Sequence, residues 1–287
     1  MGIGYQIVDR RAFDYQLWYI ADGEISLRGP KKTLPKAPDL VFTGAAQTFG
    51  RFAPDPFPSQ VARMAEVSYL NLGISGAGPE YYLQRPFLLD MVRSGRVHLL
   101  QLMSARSVSA GIFKCGRNNG VLEFLSGPLK GEKLLAANAY RKLRHKYGAD
   151  ALAEQVAAVQ ARWVEVTGEM LAALPMTTYL VWVSTAEMDA NLRDDLSMGD
   201  FPHFVTAEMV ERAAAGTAGI IDCTFGAAYH QPLTDQISGE MADIFDHQQF
   251  PGRPEAIRSF NTYYPSPAHH DLIAARVLRR LVKDGHV

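Results

Sequence analysis

Asp39-Leu40-Val41-Phe42-Thr43 runs directly into Gly44-Ala45-Ala46-Gln47-Thr48-Phe49-Gly50, and a helical pattern follows from Pro58 to Ala65. A short apolar run closed by a glycine loop and followed by helical spacing reads as strand, loop, helix. The same rhythm returns downstream. Val67-Ser68-Tyr69-Leu70-Asn71-Leu72 stops at Gly73-Ile74-Ser75-Gly76-Ala77-Gly78-Pro79, with helical residues to about Ser94, and Val97 to Met103 ends at Ser104. Thr178 to Ser184 and Gly219 to Phe225 supply a fourth and a fifth apolar run. Between and after them lie an Ala-rich helix from about Ala149 to Leu174, a shorter one from Ala207 to Ala215 and a last one from about Ala268 to Lys283. Near-continuous apolar strands alternating with helices predict a parallel sheet buried on both faces. The expected fold is α/β, a three-layer sandwich on a parallel sheet of about five strands. Ligand loops in such folds sit at the carboxyl ends of the strands.

Around this framework, residues 1–38 read as an aromatic N-terminal arm ending in a basic, Pro-rich loop. Residues 108–150, with Gly116-Arg117-Asn118-Asn119-Gly120 and a basic run Arg141, Lys142, Arg144, His145, Lys146, read as an insertion or lid. The whole chain, 1–287, is expected to form one domain, because α/β units of this length share a single core. A hydrophobic share of 47% with 21% charged residues excludes a disordered chain. A formal net charge of -1 provides no positive field for collecting phosphates, so nucleic acid is not an expected partner. The charged N-terminus lacks the apolar run of a signal peptide and no stretch is long enough to span a membrane, which predicts a cytoplasmic protein with no membrane span. Gln6 breaks the myristoylation pattern that would otherwise begin at Gly2. Cys115 and Cys223 have no ligand spacing and read as packed free thiols. His203, His230 and His247 have none either, so no metal is expected. Nothing in the sequence specifies a cofactor or an oligomeric state.

The three loops at strand ends, together with Asn261-Thr262-Tyr263-Tyr264-Pro265-Ser266-Pro267-Ala268-His269-His270-Asp271-Leu272-Ile273-Ala274, resemble the sequence blocks of the SGNH (GDSL-type) hydrolases. Gly44 to Gly50 matches the family's GDSxTxG block, Asn71 to Gly76 its NxGxxG-like turn, and Ser104-Ala105-Arg106-Ser107 stands where GxND is expected. The resemblance implies a flavodoxin-like strand order. It also implies that the catalytic positions are degenerate: Ala46 occupies the nucleophile position, Asn261 that of the aspartate and Tyr264 that of the histidine. More loosely, the chain resembles a triad-degenerate bacterial branch carrying a TGAA-T-FGRF segment, here Thr43-Gly44-Ala45-Ala46, Thr48 and Phe49-Gly50-Arg51-Phe52.

Serine hydrolysis requires a hydroxyl nucleophile, an imidazole base and a carboxylate that orients it. None of the three positions supplies its part, so a standard serine esterase is excluded by this register. What the resemblance leaves is the oxyanion-hole side, with Gly73, Ser75 and Gly76 in a glycine-rich turn and Gly44, Ala46, Gln47 and Thr48 at a helix start. Arg51, Ser104 and Arg106 lie near these loops in sequence or in expected space, suggesting a pocket that receives anions or a carbohydrate. His269 and His270, with Tyr264 in the histidine position, are the candidate acid-base residues. These features predict acyl or sulfo group transfer from a donor such as acyl-CoA or a sulfonucleotide onto a carbohydrate or cell-envelope polymer. The alternative is a catalytically silent protein that holds a sugar or acyl ligand. A third reading is residual esterase activity through Ser75 or Ser104. His98, inside a strand, reads as a core histidine, and Asp222 as a strand-end residue.

Overall fold

The computed structural model describes residues 6, 9–31, 36–116, 120–190, 200–226, 230–242, 244, 245 and 257–287. Strands β1 (Leu40–Gly44), β2 (Tyr69–Gly73), β3 (Val97–Gln101), β4 (Thr177–Ser184) and β5 (Ile220–Thr224) form one sheet in the order β2-β1-β3-β4-β5. Every neighbouring pair is parallel. This is the expected α/β class and the flavodoxin-like order, and the strand bounds agree with the sequence reading to within two residues.

The period of two along each strand decides which helices cover which face. Leu40, Phe42, Val97, Leu99, Tyr179, Val181, Val183, Ile221 and Cys223 point to one side, where they share a core with α2 (Phe57–Ala65) and α7 (Pro267–Lys283). Val41, Leu70, Leu72, Leu100, Leu180 and Trp182 point to the other. That second core is completed by α3 (Pro79–Leu83), α4 (Pro86–Arg93), α5 (Ala136–Ala172) and α6 (Ala207–Ala214). A turn of helix, α1 (Ala46–Phe49), caps the end of β1.

Two elements differ from the sequence reading. The helix expected up to Ser94 is split, because Pro86 has no N–H to give and disfavours helical backbone at Arg85, whose ψ of 81° ends the first piece. The long helix starts earlier, at Ala136, and is broken at Gly148 (φ 90°, ψ -178°), so the basic run and the Ala-rich segment are two rods. The 108–150 region also holds a three-stranded antiparallel sheet of Phe113–Cys115, Val121–Phe124 and Lys133–Leu135. Its Phe113, Leu122 and Phe124, with Tyr140 and Leu143, join the same core as β1 to β4. Part of the expected Gly116–Gly120 turn lies outside the described residues.

In the N-terminal arm, a hairpin of Trp18–Ile20 and Ile25–Leu27 buries Trp18, Ile25 and Leu27 against that core. On the far side β5 is an edge strand, and α7 covers its outward carbonyls. Arg276 donates to Asp222 O and Thr224 O at 3.3 and 2.6 Å, and Arg280 to Ile220 O and Ala218 O at 3.2 and 2.6 Å. Two arginines one helical turn apart thus occupy the acceptors another strand would use. Among the described residues no helix is long and apolar enough to cross a membrane.

Candidate functional site at the carboxyl ends of the strands

In the order β2-β1-β3 the chain reverses direction at the β1/β3 boundary, the place where open α/β sheets leave a crevice. Gln101, the last residue of β3, reaches across it. Its Oε1 accepts from Ala45 N (2.9 Å), Thr48 N (3.3 Å) and Thr48 Oγ1 (2.7 Å). The Thr48 amide, expected to receive an anion, is therefore bonded with its neighbour Ala45 N to a neutral side-chain carbonyl, and the Thr48 hydroxyl is committed as well. Gly44 is required here: its φ is 154°, and a Cβ would lie 2.4 Å from both Gln101 Oε1 and Thr48 Oγ1.

The β1 and β2 loops are laced together. Ile74 N donates to Gly44 O (2.9 Å), Asn71 Nδ2 to Thr48 O (2.9 Å), and Gly73 N to Asn71 Oδ1 (2.9 Å). Gly73 packs so tightly on α1 that a Cβ would meet Phe49 N at 2.3 Å. The Tyr82 hydroxyl lies in the same seam, accepting from Gly44 N at 3.1 Å and donating toward Gly44 O and Leu72 O. None of these bonds ends on the N–H of Ala46, Gln47 or Gly76. Gln47 is 3% exposed, and its Oε1 is buried with no partner among the described residues. Ser75 and Gly76 are half-buried beside Ala77.

Replacing Gln101 by leucine should leave three buried donors without an acceptor at nearly unchanged volume. At about 1–3 kcal/mol for each unsatisfied group, the variant is expected to lose roughly 3 kcal/mol or more, read by urea unfolding. A loss below about 1 kcal/mol would mean that the loop does not depend on this side chain.

The remaining candidates have structural partners. Arg51, expected in an anion pocket, is 4% exposed and grips Asp9 with two bonds of 2.8 and 3.0 Å. Its third bond runs to Tyr264 Oη at 3.0 Å, so the phenol in the histidine position accepts from a guanidinium instead of acting as a base. Burial works against the Arg51 charge, yet Tyr264 and Asp9 together hold its pKa well above the ordinary arginine value. Asn261 shapes the turn: its Oδ1 accepts from Tyr263 N and Tyr264 N, and its Nδ2 donates to Gln231 Oε1 and Tyr264 O.

His269 closes a capping box on α7, its Nδ1 accepting from Ser266 N and its N donating to Ser266 Oγ, while its ring stacks on Phe225. His270 is fully buried and its Nδ1 accepts from Phe57 N at 3.1 Å, capping α2 where Pro56 has no side-chain acceptor to offer. Burial, with smaller contributions from Arg28 and His269, pushes its pKa down to about 3. Both candidate bases are thus bound to backbone amides. His98 is a core residue as expected, lying between Thr43 Oγ1 (2.7 Å) and Thr178 Oγ1 (3.3 Å). Asp222 is exposed and caps its own strand end through Thr224.

The pair that sequence reasoning missed is His203 with Tyr263. His203 N donates to Ser104 Oγ at 3.0 Å and Ala105 N to His203 O at 3.0 Å, clamping this loop to the end of β3. His203 Nε2 lies 2.7 Å from Tyr263 Oη and the two rings stack. Burial pushes the Tyr263 phenol up to about 12, opposed by nearby Arg106. No spacing in the sequence links positions 203 and 263; only the fold joins them. Among the described residues no group of three or more His, Cys, Asp or Glu could hold a metal ion; His247 lies outside them.

A family profile described as "Domain of unknown function (DUF6473)" matches residues 3–122. No curated protein matches the chain. Among solved structures it is similar to a lipase from a goat rumen metagenome (12% identity, TM-score 0.43, covering 83% of this chain and 94% of that one). It is also similar to a catalytic mutant of an acetylxylan esterase from Geobacillus stearothermophilus (13% identity, TM-score 0.41, 86% and 94%). An α/β hydrolase from the metagenome of Lake Arreo, Spain, is a further neighbour (14% identity, TM-score 0.41, 84% and 93%). Likeness of this order assigns no activity to the chain.

Proposed function

We propose that this chain is a triad-degenerate SGNH-like protein that transfers an acyl or sulfo group onto a hydroxyl of a carbohydrate or cell-envelope polymer. The observation that carries the reading is Gln47. Its buried Oε1 has no partner among the described residues, one residue beyond the nucleophile position held by Ala46. A buried acceptor without a donor costs about 1–3 kcal/mol, so a ligand hydroxyl admitted by a small shift of this side chain would be stabilised there. With a methyl group at position 46 no covalent serine intermediate can form at that position, and in this reading the acceptor hydroxyl attacks the donor directly. Ser75, Gly76 and Arg106 are the further contacts assigned to ligand in this reading. Gly44, Gly73, Thr48, Arg51, Ser104 and Tyr264 build the loops that carry it.

The second reading is a silent sugar- or acyl-binding protein, and the capture of His269 and His270 by backbone amides favours it. Thermal unfolding separates the two when the protein is titrated with acyl-CoA, a sulfonucleotide, nucleotide sugars and acidic oligosaccharides. A ligand at about 100 times its Kd should add about 2.7 kcal/mol, a shift of several degrees for a chain of this size. A shift with acyl-CoA or the sulfonucleotide supports transfer. A shift with sugars alone supports the silent binder, and no shift with any of them removes both readings.

A further inference from the structure

The His203–Tyr263 pair joins two of the loops that frame the candidate site. Ser104 and Ala105, just past β3, hold the His203 backbone on one side. On the other, Tyr263 packs edge-on against Tyr264 with ring centroids 4.9 Å apart, Tyr264 Oη is bonded to Arg51, and Arg51 N donates to Ala46 O at 3.1 Å. A continuous set of contacts therefore runs from the nucleophile position to the pair. His203 is 5% exposed and fixed at its backbone, whereas Tyr263 as a residue is 38% exposed, so of the two side chains the tyrosine is the one open to a ligand. The groups whose charge reaches the phenol are Arg106, Tyr264 and Asp200, and Phe201 packs on the imidazole.

We infer that Tyr263 and His203 form the general-base relay of the transfer, with the phenol touching the acceptor and the imidazole taking the proton through it. This rests on the group-transfer reading. In the arrangement the relay uses, Tyr263 Oη donates to His203 Nε2, leaving phenol lone pairs to accept the acceptor's O–H. As that O–H bond breaks, its proton passes to Tyr263 Oη and the phenol's own proton to Nε2. The freed oxygen pair forms a bond to the carbonyl carbon of an activated ester or thioester. The bond to the leaving group then breaks with its electron pair, and the imidazolium returns the proton through Tyr263 to that group. The products are the acylated acceptor and the protonated leaving group, and no oxidant or reductant is needed. Tyr263 is the catalytic residue of the pair, and His203 acts through it.

The test uses the full chain with p-nitrophenyl acetate as donor and methyl glucoside or glycerol as acceptor, following acetylated acceptor by mass spectrometry across pH. General-base assistance contributes about 10²–10⁴-fold, so Tyr263→Phe and His203→Gln should each lower acceptor-dependent transfer by at least about 100-fold. Both should also lose the rising limb of the pH–rate profile while keeping the parent's thermal midpoint within a few degrees. Should His203→Gln fail to fold, Tyr263→Phe decides alone, since it removes one hydroxyl from a ring whose packing is kept. Parent-like rates, or an unchanged pH limb in Tyr263→Phe, overturn the relay and leave group transfer standing. Absence of acceptor-dependent product from the unsubstituted protein overturns the transfer reading and the relay together.

Discussion

Asp9→Ala is expected to lower the unfolding free energy by about 3–5 kcal/mol, the range for removing one partner of a buried ion pair. The side chains of Arg51 and Asp9 are 4% and 0% exposed, and their bonds of 2.8 and 3.0 Å satisfy both carboxylate oxygens. Tyr15 Oη adds a further bond of 2.8 Å to Oδ2. Without the carboxylate, Arg51 keeps its charge inside the protein against the faces of Phe52 and Tyr264. The double change Asp9→Leu with Arg51→Met removes both charges at once and should recover most of the loss, because desolvation of the pair offsets much of its attraction. Guanidinium unfolding of the two variants checks this. A single variant within about 1 kcal/mol of the parent would show that the arm holding Asp9 does not anchor the α1 loop.

The second large effect is loss of stability on mild acidification. Burial lowers the pKa of both His98 and His270 to about 3. Each is neutral when folded but, once unfolded, takes up a proton below about pH 6.5. The unfolded chain therefore binds more protons between these values, and stability falls as pH drops from about 6.5 toward 3. At about 1.36 kcal/mol per pH unit for each histidine, going from pH 7.5 to pH 5 should remove roughly 4 kcal/mol for the two together. His269 is shifted in the same direction by the same cause. Asp39, held below its ordinary value of 3.8 mainly by hydrogen bonds from Ser68, loses its contribution only below that pH. The upper window therefore belongs to the histidines. Equilibrium unfolding at pH 7.5, 6 and 5 measures the slope, and His98→Asn with His270→Asn should flatten it whatever their effect at pH 7.5. Equal stability of the parent at pH 5 and 7.5 would mean that these imidazoles are not buried and neutral.

The sheet was legible from sequence because each strand is a short apolar run ended by glycine or serine, and burial on both faces leaves that pattern unbroken. The helices followed from spacing, and the structure adds their caps, most clearly at Ser266-Pro267, where a serine cap and a proline in the first turn start α7 just before the expected Ala268. The resemblance at Gly44 to Gly50, Asn71 to Gly76 and Asn261 to Ala274 marked the loops that frame the candidate site, and the first block places Ala46, which bears no nucleophile, at the nucleophile position.

Side-chain partners across the fold were not legible, because hydrogen bonds between residues tens or hundreds of positions apart leave no periodic trace. Gln101 looks like one more strand residue until β3 lies beside β1, and Asp9 looks like an ordinary surface charge until the arm folds over Arg51. His269 and His270 look like bases until helix starts claim the Nδ1 of each. His203 has no sequence signal, since the residue that completes it is 60 positions away. Local pattern and propensity thus determined the layers and the loops, while which polar atoms are satisfied, and which remain for a ligand, was decided by tertiary contacts.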